Sequence, residues 1–347
     1  MTSIDVVVPC YQYGRFLRQC VTSVLTQDVD NLRILIIDNA STDNSVEIAK
    51  QLAAEDARVE FVGRTVNLGQ HASYNEGIRW ASSKYFLLVD ADDLLVPGSL
   101  RRAIAFMEQH HEISFVYGIQ AILHGDGTTR IASRDIENHQ WDMISGRTFI
   151  EQVCQTGINH VGAPTVVRRT SAQKRAGYYR PEYAYCDDMD LWLRLACLGD
   201  VAKLGMVQAF RRLHDSQHGN YYQSVLVRDF IERKRVFEGF FLTNEARSLP
   251  GAEHLFKRAQ RSLGEHAYWS SVSHLCRGYV RSSWQLFKFA VRYQPRVVLI
   301  PPVGWLVRVD RPLARVKEVL REAAQRLLWW KPSSKHRSSR KNSTEEL

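Results

Sequence analysis

The sequence predicts an α/β domain built on a mostly parallel sheet, followed by a region that is helical and basic. Two observations carry this. Residues 1–90 alternate short β-branched or apolar runs with helical patterns, the signature of βαβ units and of a sheet covered on both faces. Residues 224–294 keep a helical pattern with no strand signature and no fixed repeat.

Taken in order, the strands expected in the first half are Ile4 to Val8, Arg33 to Ile37, Val59 to Val62 and Tyr85 to Val89. The helices between them are Phe16 to Thr26, Ser45 to Ala54 and Ala72 to Ala81. A parallel sheet binds ligands beyond the carboxyl ends of its strands. Those positions are polar here: Pro9-Cys10-Tyr11-Gln12-Tyr13-Gly14, Asp38-Asn39-Ala40-Ser41-Thr42-Asp43, Gly63-Arg64 with Asn67-Leu68-Gly69, and Asp90-Ala91-Asp92-Asp93. Residues 111–210 are less periodic, with strands at Ile113 to Tyr117, Gln120 to Leu123 and Thr165 to Val167 and a helix over Met189 to Leu198. Near the C-terminus, Asp310 offers an N-cap with Pro312 in the first turn, and Leu313, Val316, Leu320, Ala324 and Leu327 follow at helical spacing to Trp329-Trp330. The expected units are 1–220, a helical extension 221–294, an amphipathic segment 295–331 and a disordered basic tail 332–347.

The chain has 347 residues, 45% of them hydrophobic, enough for a core of roughly 200 residues plus a smaller unit. A collagen or a disordered polymer is excluded. The net charge of +9 hides a division: residues 1–220 carry 22 basic and 26 acidic side chains, a balance of −4, whereas residues 221–347 carry 24 and 11, a balance of +13. The six cysteines lie far apart without a CxxC pair, the usage of reduced thiols in the cytoplasm rather than of a disulfide scaffold. Asp5 stands where a cleaved signal needs a basic and then apolar start, so no such signal is expected. The longest apolar run, Val297 to Val307, is 11 residues with Pro301-Pro302 inside it, short of the ~20 that span a bilayer.

Asp90-Ala91-Asp92-Asp93 is the sharpest chemical signal. Three carboxylates in four residues repel one another, and a divalent cation with oxygen ligands neutralises them; a solvated turn capping the next helix is the alternative. Asp187 and Asp188 open an amphipathic helix, where they either complement its dipole or present a general base to a hydroxyl. His214 and His218 stand four apart, a zinc-compatible spacing, but HExxH is missing. GxGxxG, Walker A and GxSxG are missing as well, which removes the support for NAD-dependent hydride transfer, P-loop hydrolysis and an α/β-hydrolase nucleophile.

Together these pieces resemble the family 2 glycosyltransferases, inverting enzymes of the GT-A fold. The resemblance runs in order through Val6 to Leu17, Ile37 to Ser45, Asn67-Leu68-Gly69 with Tyr74-Asn75-Glu76-Gly77, Asp90 to Asp93, Asp187-Asp188 and Arg212-Leu213-His214. It implies a nucleotide-binding half at 1–110 and an acceptor half at 111–220. It further implies a donor nucleotide held by Pro9, Tyr11, Asp38, Arg64, Asn67, Asp90 and Ala91, with Asp38 accepting the N3 hydrogen of uracil when the donor is a UDP-sugar. Mg²⁺ or Mn²⁺ would sit on Asp92 and His214. Asp188 would be the base, and Asp93, Asp187, Asn75 and Gly69 would support the site. The departures from the family pattern are Asp187 in place of the commoner Glu and Cys186 before it.

The implied activity is metal-dependent transfer of a sugar to an acceptor hydroxyl with inversion, an EC 2.4 reaction, in cell-surface polysaccharide or glycolipid assembly. Alternatives are a non-catalytic nucleotide-sugar binder and a sugar nucleotidyltransferase; the latter wants a Gly-rich basic loop after strand one, which Pro9 to Gly14 does not provide. The basic half carries no nucleic-acid motif, so no nucleic-acid partner is expected. The helix over 311–330 has an apolar side, basic flanks and Trp329-Trp330, the composition of an interfacial helix. The expected partners are therefore a nucleotide-sugar, a saccharide or lipid-linked saccharide acceptor and an anionic membrane, touched peripherally at the cytoplasmic face of the plasma membrane; packing of this segment on the helical region or a partner subunit is the alternative.

Overall fold

A computed structural model describes residues 2–131, 137–214, 226–308, 317 and 321. Its centre is the apolar strand Ser3–Cys10 (β1), buried at every residue but the first. This strand pairs in parallel with Asn31–Asp38 (β2) on one side and Tyr85–Leu88 (β4) on the other, and β2 pairs in parallel with Val59–Gly63 (β3). Side chains of a strand alternate between faces. Val6 and Val8 therefore pack with helices Gly14–Leu25 (α1), Ser45–Glu55 (α2) and Ser99–Gln109 (α4), while Val7 packs with Gln70–Trp80 (α3). At Gly77 of α3 a Cβ would stand 2.5 Å from Val7 Cγ1, so only glycine lets this helix lie so close to β1.

The second half adds Leu94–Leu95 (β5), Ile113–Leu123 (β6), Thr129–Ile131 (β7), Trp141–Ile144 (β8), Gly146–Thr156 (α5), Val167–Arg169 (β9), Thr170–Ala176 (α6), Asp187–Ala196 (α7) and Asp200–Arg212 (β10). The strand order is β3-β2-β1-β4-β9-β6-β10-β5, with β7 on β6 and β8 on β10. Strand β9 runs antiparallel to both β4 and β6, and β10 runs parallel to β6. The sheet is mixed, and its long strands share one direction.

Three expectations need correction. Ile113 to Tyr117 and Gln120 to Leu123 form one strand, continuous through Gly118; the glycine marks no break but a close approach, since a Cβ there would collide with Gln208 of β10. Over Thr165 to Val167 there is instead a 3-10 turn, Ala163–Thr165, with Pro164 in it, and the strand begins at Val167. The helix placed over Met189 to Leu198 starts at Asp187, putting three aspartates in its first turn.

Among the described residues the sheet is followed by the helices Leu226–Phe240 (α8), Asn244–Arg247 (α9), Ala252–Cys276 (α10), Val280–Tyr293 (α11) and Val303–Arg308 (α12). Phe230, Phe237, Leu255, Leu263 and Leu286 share one buried cluster with Phe149 of α5 and Trp192 of α7. The Ser262 hydroxyl donates to the Gln155 carbonyl at 2.9 Å, and Trp305 stacks on His266 at 4.7 Å. No helix among the described residues is long and apolar enough to cross a membrane. The helix expected over 311–330 and the tail 332–347 lie outside the described residues, apart from Lys317 and Arg321, which are helical and exposed; His218 also lies outside them.

Candidate active site

The chain leaves β1 toward β2 on one side and leaves β4, the neighbour of β1 on the other side, toward the far half of the sheet, so the loops after β1 and β4 diverge and leave a crevice at the carboxyl edge. A cleft of about 590 Å³ opens there. Four chain segments supply most of its lining, Pro9 to Tyr13 after β1, Asn67 to Tyr74 at the start of α3, Asp90 to Asp93 after β4, and Ala184 to Asp188 leading into α7, and Asn39, Leu88, Ala163 and Arg211 of β10 complete it.

The loops after β1 and β2 are locked together. The Gly14 amide donates to Asp43 Oδ2 at 3.0 Å, and the Gln12 amide donates to Ser41 Oγ at 2.9 Å. Gln12 and Ala40 hold positive φ of 62° and 65°, a cost that recurs at ligand sites. Asp38 is fully buried; its Oδ2 accepts from the Ser41 amide at 2.9 Å. Its Oδ1 is buried without a hydrogen-bond partner, which leaves an acceptor available at the cost of desolvation.

The acidic wall follows from sequence position. Asp90 stands two residues beyond β4, and the Tyr74 hydroxyl donates to its Oδ1 at 3.2 Å. Burial, then the charge of Asp92, push Asp90 up to about 7, against the pull of Tyr74. Burial and the charges of Asp92 and Asp90 raise Asp93 well above the carboxylate range, although its Oδ1 accepts from the Arg212 amide at 3.2 Å. Asp92 Oδ2 lies 3.0 Å from His214 Nε2, and His214 rests edge-on against Tyr13.

At the start of α7, Asp187 Oδ2 lies 2.8 Å from His71 Nε2, and its Oδ1 accepts from the Asp188 amide at 2.9 Å. Burial, then Asp187 and Asp90, raise Asp188 well above the ordinary range. Tyr179 donates to its Oδ1 at 3.4 Å, and the buried Arg168, set among Phe86, Tyr179 and Trp192, donates to the Tyr179 hydroxyl at 3.4 Å.

Of the residues singled out in the sequence, Pro9, Tyr11, Asn67, Gly69, Asp90, Asp92, Asp93, Asp187 and Asp188 line the cleft together. Asp38 and Ala91 stand behind that lining, the Ala91 amide donating to the Pro9 carbonyl at 3.3 Å. His214 closes on Asp92 from the end of β10. Arg64 is turned away: its guanidinium pairs with Glu76 and donates to Asn39 Oδ1 and Ser73 Oγ at 3.0 Å each. Through Asn39, which donates to Asn67 Oδ1 at 2.7 Å, it holds the loop instead of facing the cleft. Asn75 clamps the backbone of Tyr179 in both directions, at 2.8 and 2.9 Å. His71, Tyr74, Tyr179, Arg168 and Arg211 were not visible as site residues; for His71 and Tyr74 the only signal was their i, i+3 placement in the first turn of α3.

A divalent cation suits the donor set, since Asp92 and His214 offer a carboxylate and an imidazole against one another beside two further carboxylates. Among the described residues no three such side chains converge on one point, so the protein would supply few of the ligands.

The fold is that of the GT-A glycosyltransferases. Residues 1–349 of S. aureus TarS, in complex with UDP-GlcNAc, match with a TM-score of 0.63 at 15% identity over 94% of this chain and 92% of that one. The mannosyltransferase PcManGT from Pyrobaculum calidifontis, in complex with GDP-Man and Mn²⁺, matches with a TM-score of 0.54 at 15% identity over 94% and 87%. Residues 5–175 match the model of glycosyl transferase family 2. An uncharacterized glycosyltransferase of Haemophilus influenzae is 23% identical over 222 residues, 63% of this chain and 68% of the relative. Several other matched relatives are covered over less than half of their length.

Proposed function

We propose that the protein transfers a glycosyl group from a nucleoside-diphosphate sugar to an acceptor hydroxyl with inversion. The observation that carries this reading is one cleft holding the Asp90–Asp93 carboxylates together with Asp188, each set at the mouth of its own element. Asp188 takes the proton of the acceptor hydroxyl while that oxygen bonds to the anomeric carbon. The bond from that carbon to the diphosphate oxygen breaks on the opposite face, and the electron pair leaves with the nucleoside diphosphate. A base works best when its pKa lies near the working pH, and burial beside Asp187 and Asp90 moves Asp188 in that direction.

Asp38 Oδ1 accepts the imide hydrogen of uracil, with Pro9 and Tyr11 as the wall of the base pocket. Asp90, held by Tyr74, faces the ribose or donor sugar. Asp92 and His214 would hold Mg²⁺ or Mn²⁺, which when bound offsets charge on the departing diphosphate. The acceptor is a saccharide carried on a lipid, with residues 295–331 against the cytoplasmic membrane surface, in polysaccharide or glycolipid assembly; the +13 balance of residues 221–347 supports this.

Calorimetry with UDP-, GDP- and dTDP-sugars, with and without Mn²⁺, tests the donor reading. Metal-dependent binding of a UDP-sugar, with UDP released on addition of acceptor, is expected. Binding of none overturns the transferase reading, and preference for GDP overturns the role of Asp38.

A further inference from the structure

Between Glu265 and Asp310, over residues 266–309, the chain contains no acidic residue, yet it carries Arg277, Arg281, Lys288, Arg292, Arg296 and Arg308. The same stretch is where apolar groups reach the surface. Eight of the eighteen exposed large apolar side chains among the described residues fall within 275–303. They include Trp284, Leu299 and Ile300, the last two 85% and 68% exposed.

Helix α11 shows how the pattern arises. Ser283, Leu286 and Ala290 face inward onto α10 and the core. The opposite face presents Val280, Trp284 and Lys288 at successive i, i+4 steps, with Arg281 and Arg292 beside them, all exposed. Lys288 Nζ lies 5.8 Å from the centre of the Trp284 ring. Below the helix end, the 3-10 turn Pro295–Val298 buries Val297 and turns Val298, Leu299 and Ile300 outward.

Apolar and aromatic side chains interleaved with positive charge, in a stretch free of carboxylates, match one environment: the headgroup boundary of an anionic bilayer. A nucleic acid has no use for Leu299 and Ile300, and a protein partner gives no reason to exclude every acid over this length. We infer that the outer face of α11 and the turn at 298–300 dock on anionic lipid, so that the described helical region, and not the C-terminal tail alone, seats the protein on its membrane.

The position suits the reaction. Helix α11 packs on α8 and α10, α8 packs on α7, and the Tyr185 amide donates to Glu232 of α8 at 3.1 Å. The docking layer is thus one helix removed from Asp188. The inference rests on the membrane contact proposed above and is independent of the transfer chemistry.

The test is co-sedimentation of the full-length chain with vesicles of phosphatidylcholine alone or mixed with phosphatidylglycerol. One variant carries Arg281→Gln, Lys288→Gln and Arg292→Gln; a second carries Trp284→Ser, Leu299→Ser and Ile300→Ser; a third carries Lys335→Gln, Arg337→Gln and Arg340→Gln in the tail. All altered side chains of the first two are exposed, and UDP binding by calorimetry reports on folding and on the donor site separately. The wild type is expected to bind only the anionic vesicles, less strongly at high salt. The first variant should lose on the order of 100-fold in partitioning and the second more than about tenfold, with UDP binding unchanged in both. The inference is overturned if only the tail variant is released, if the wild type ignores anionic lipid, or if the apolar variant merely dissolves a self-associated species.

Discussion

The two ends of the central strands hold carboxylates under opposite conditions. At the amino end, Asp5 of β1 is fully buried and accepts five hydrogen bonds: from Arg33 Nε and Nη2 at 2.9 Å each, from the amides of Ser82 and Ser83 at 2.6 and 2.8 Å, and from the Ser83 hydroxyl at 2.7 Å. Burial pushes this carboxyl up, but Arg33 and the two serines outweigh burial and hold it below its ordinary value. At the carboxyl end, Asp90 and Asp188 each receive one tyrosine hydroxyl, and Asp93 one amide. All three are raised. The chain therefore supplies partners to the carboxylate that serves the fold and leaves those at the sheet's ligand edge in want of them, which is how structural and functional acids differ.

The largest effect expected from breaking this contrast is at Asp188. Asp188→Asn should lower the transfer rate by about 10² to 10⁴ with donor binding retained, and it should raise Tm, because it removes a charge that Asp187 and Asp90 repel. Initial-rate assays beside thermal melts check both; an unchanged rate would show that Asp188 only caps α7. Next comes Asp92→Ala, expected to abolish the Mn²⁺-dependent part of UDP affinity in calorimetry. Equal affinity in variant and wild type, with EDTA making no difference, would falsify the ligand role. At the other end, Asp5→Ala should cost about 2 to 3 kcal/mol of stability, since the amides of Ser82 and Ser83 lose the buried acceptor they share, with Arg33 relaxing into solvent from its half-exposed position. Denaturant unfolding measures this; UDP affinity of the folded variant should not move.

The legible part of the fold was the part built by local rules. Strands β1 to β4 are near-continuous apolar runs separated by helices, and all four are where the pattern puts them. Strand β10 escaped because it is irregular: its register against β6 shifts between Asp200 and Val201, Leu204 and Val207, and Val207 and Ala209. Those bulges break the period of two that identifies a strand. Strand β9 is three residues long and contains Arg168 and Arg169, which read as surface; only the tertiary structure encloses Arg168 among three aromatic rings. The carboxylates of the site were legible because repulsion between sequence neighbours needs no structure to be noticed. Their partners were not, since Tyr74 to Asp90 and His71 to Asp187 are contacts across the sheet edge, which an i, i+3 spacing within α3 does not reveal. Arg64 shows the opposite failure: a basic residue in a ligand-edge loop suggests a phosphate, whereas Glu76, in the second turn of α3, already claims it.

The smallest effect is also the one that ties the two ends into a single curve of stability against pH. Asp90 ionises near 3.8 in the unfolded chain and about 7 in the fold, so between those values the folded state holds the extra proton. Its contribution to stability falls as pH rises through that window and is fully lost above 7. Asp5 has the reverse sign: with its folded pKa below 3.8, its contribution is present above 3.8 and fades as pH falls through the folded value. Metal-free protein should thus be most stable on the acid side of neutrality, above the range where Asp5 protonates. A divalent cation that replaces the proton at the acidic wall lifts only the alkaline limb. Melts from pH 5 to 8 should show an Mn²⁺-induced rise in Tm of a few degrees that grows with pH. Asp90→Asn should flatten that growth, and Asp5 variants should leave it intact. A cation effect of the same size at both ends of the range would place the metal on groups already ionised, away from Asp90, and would separate the two acidic regions less sharply than their hydrogen bonds do.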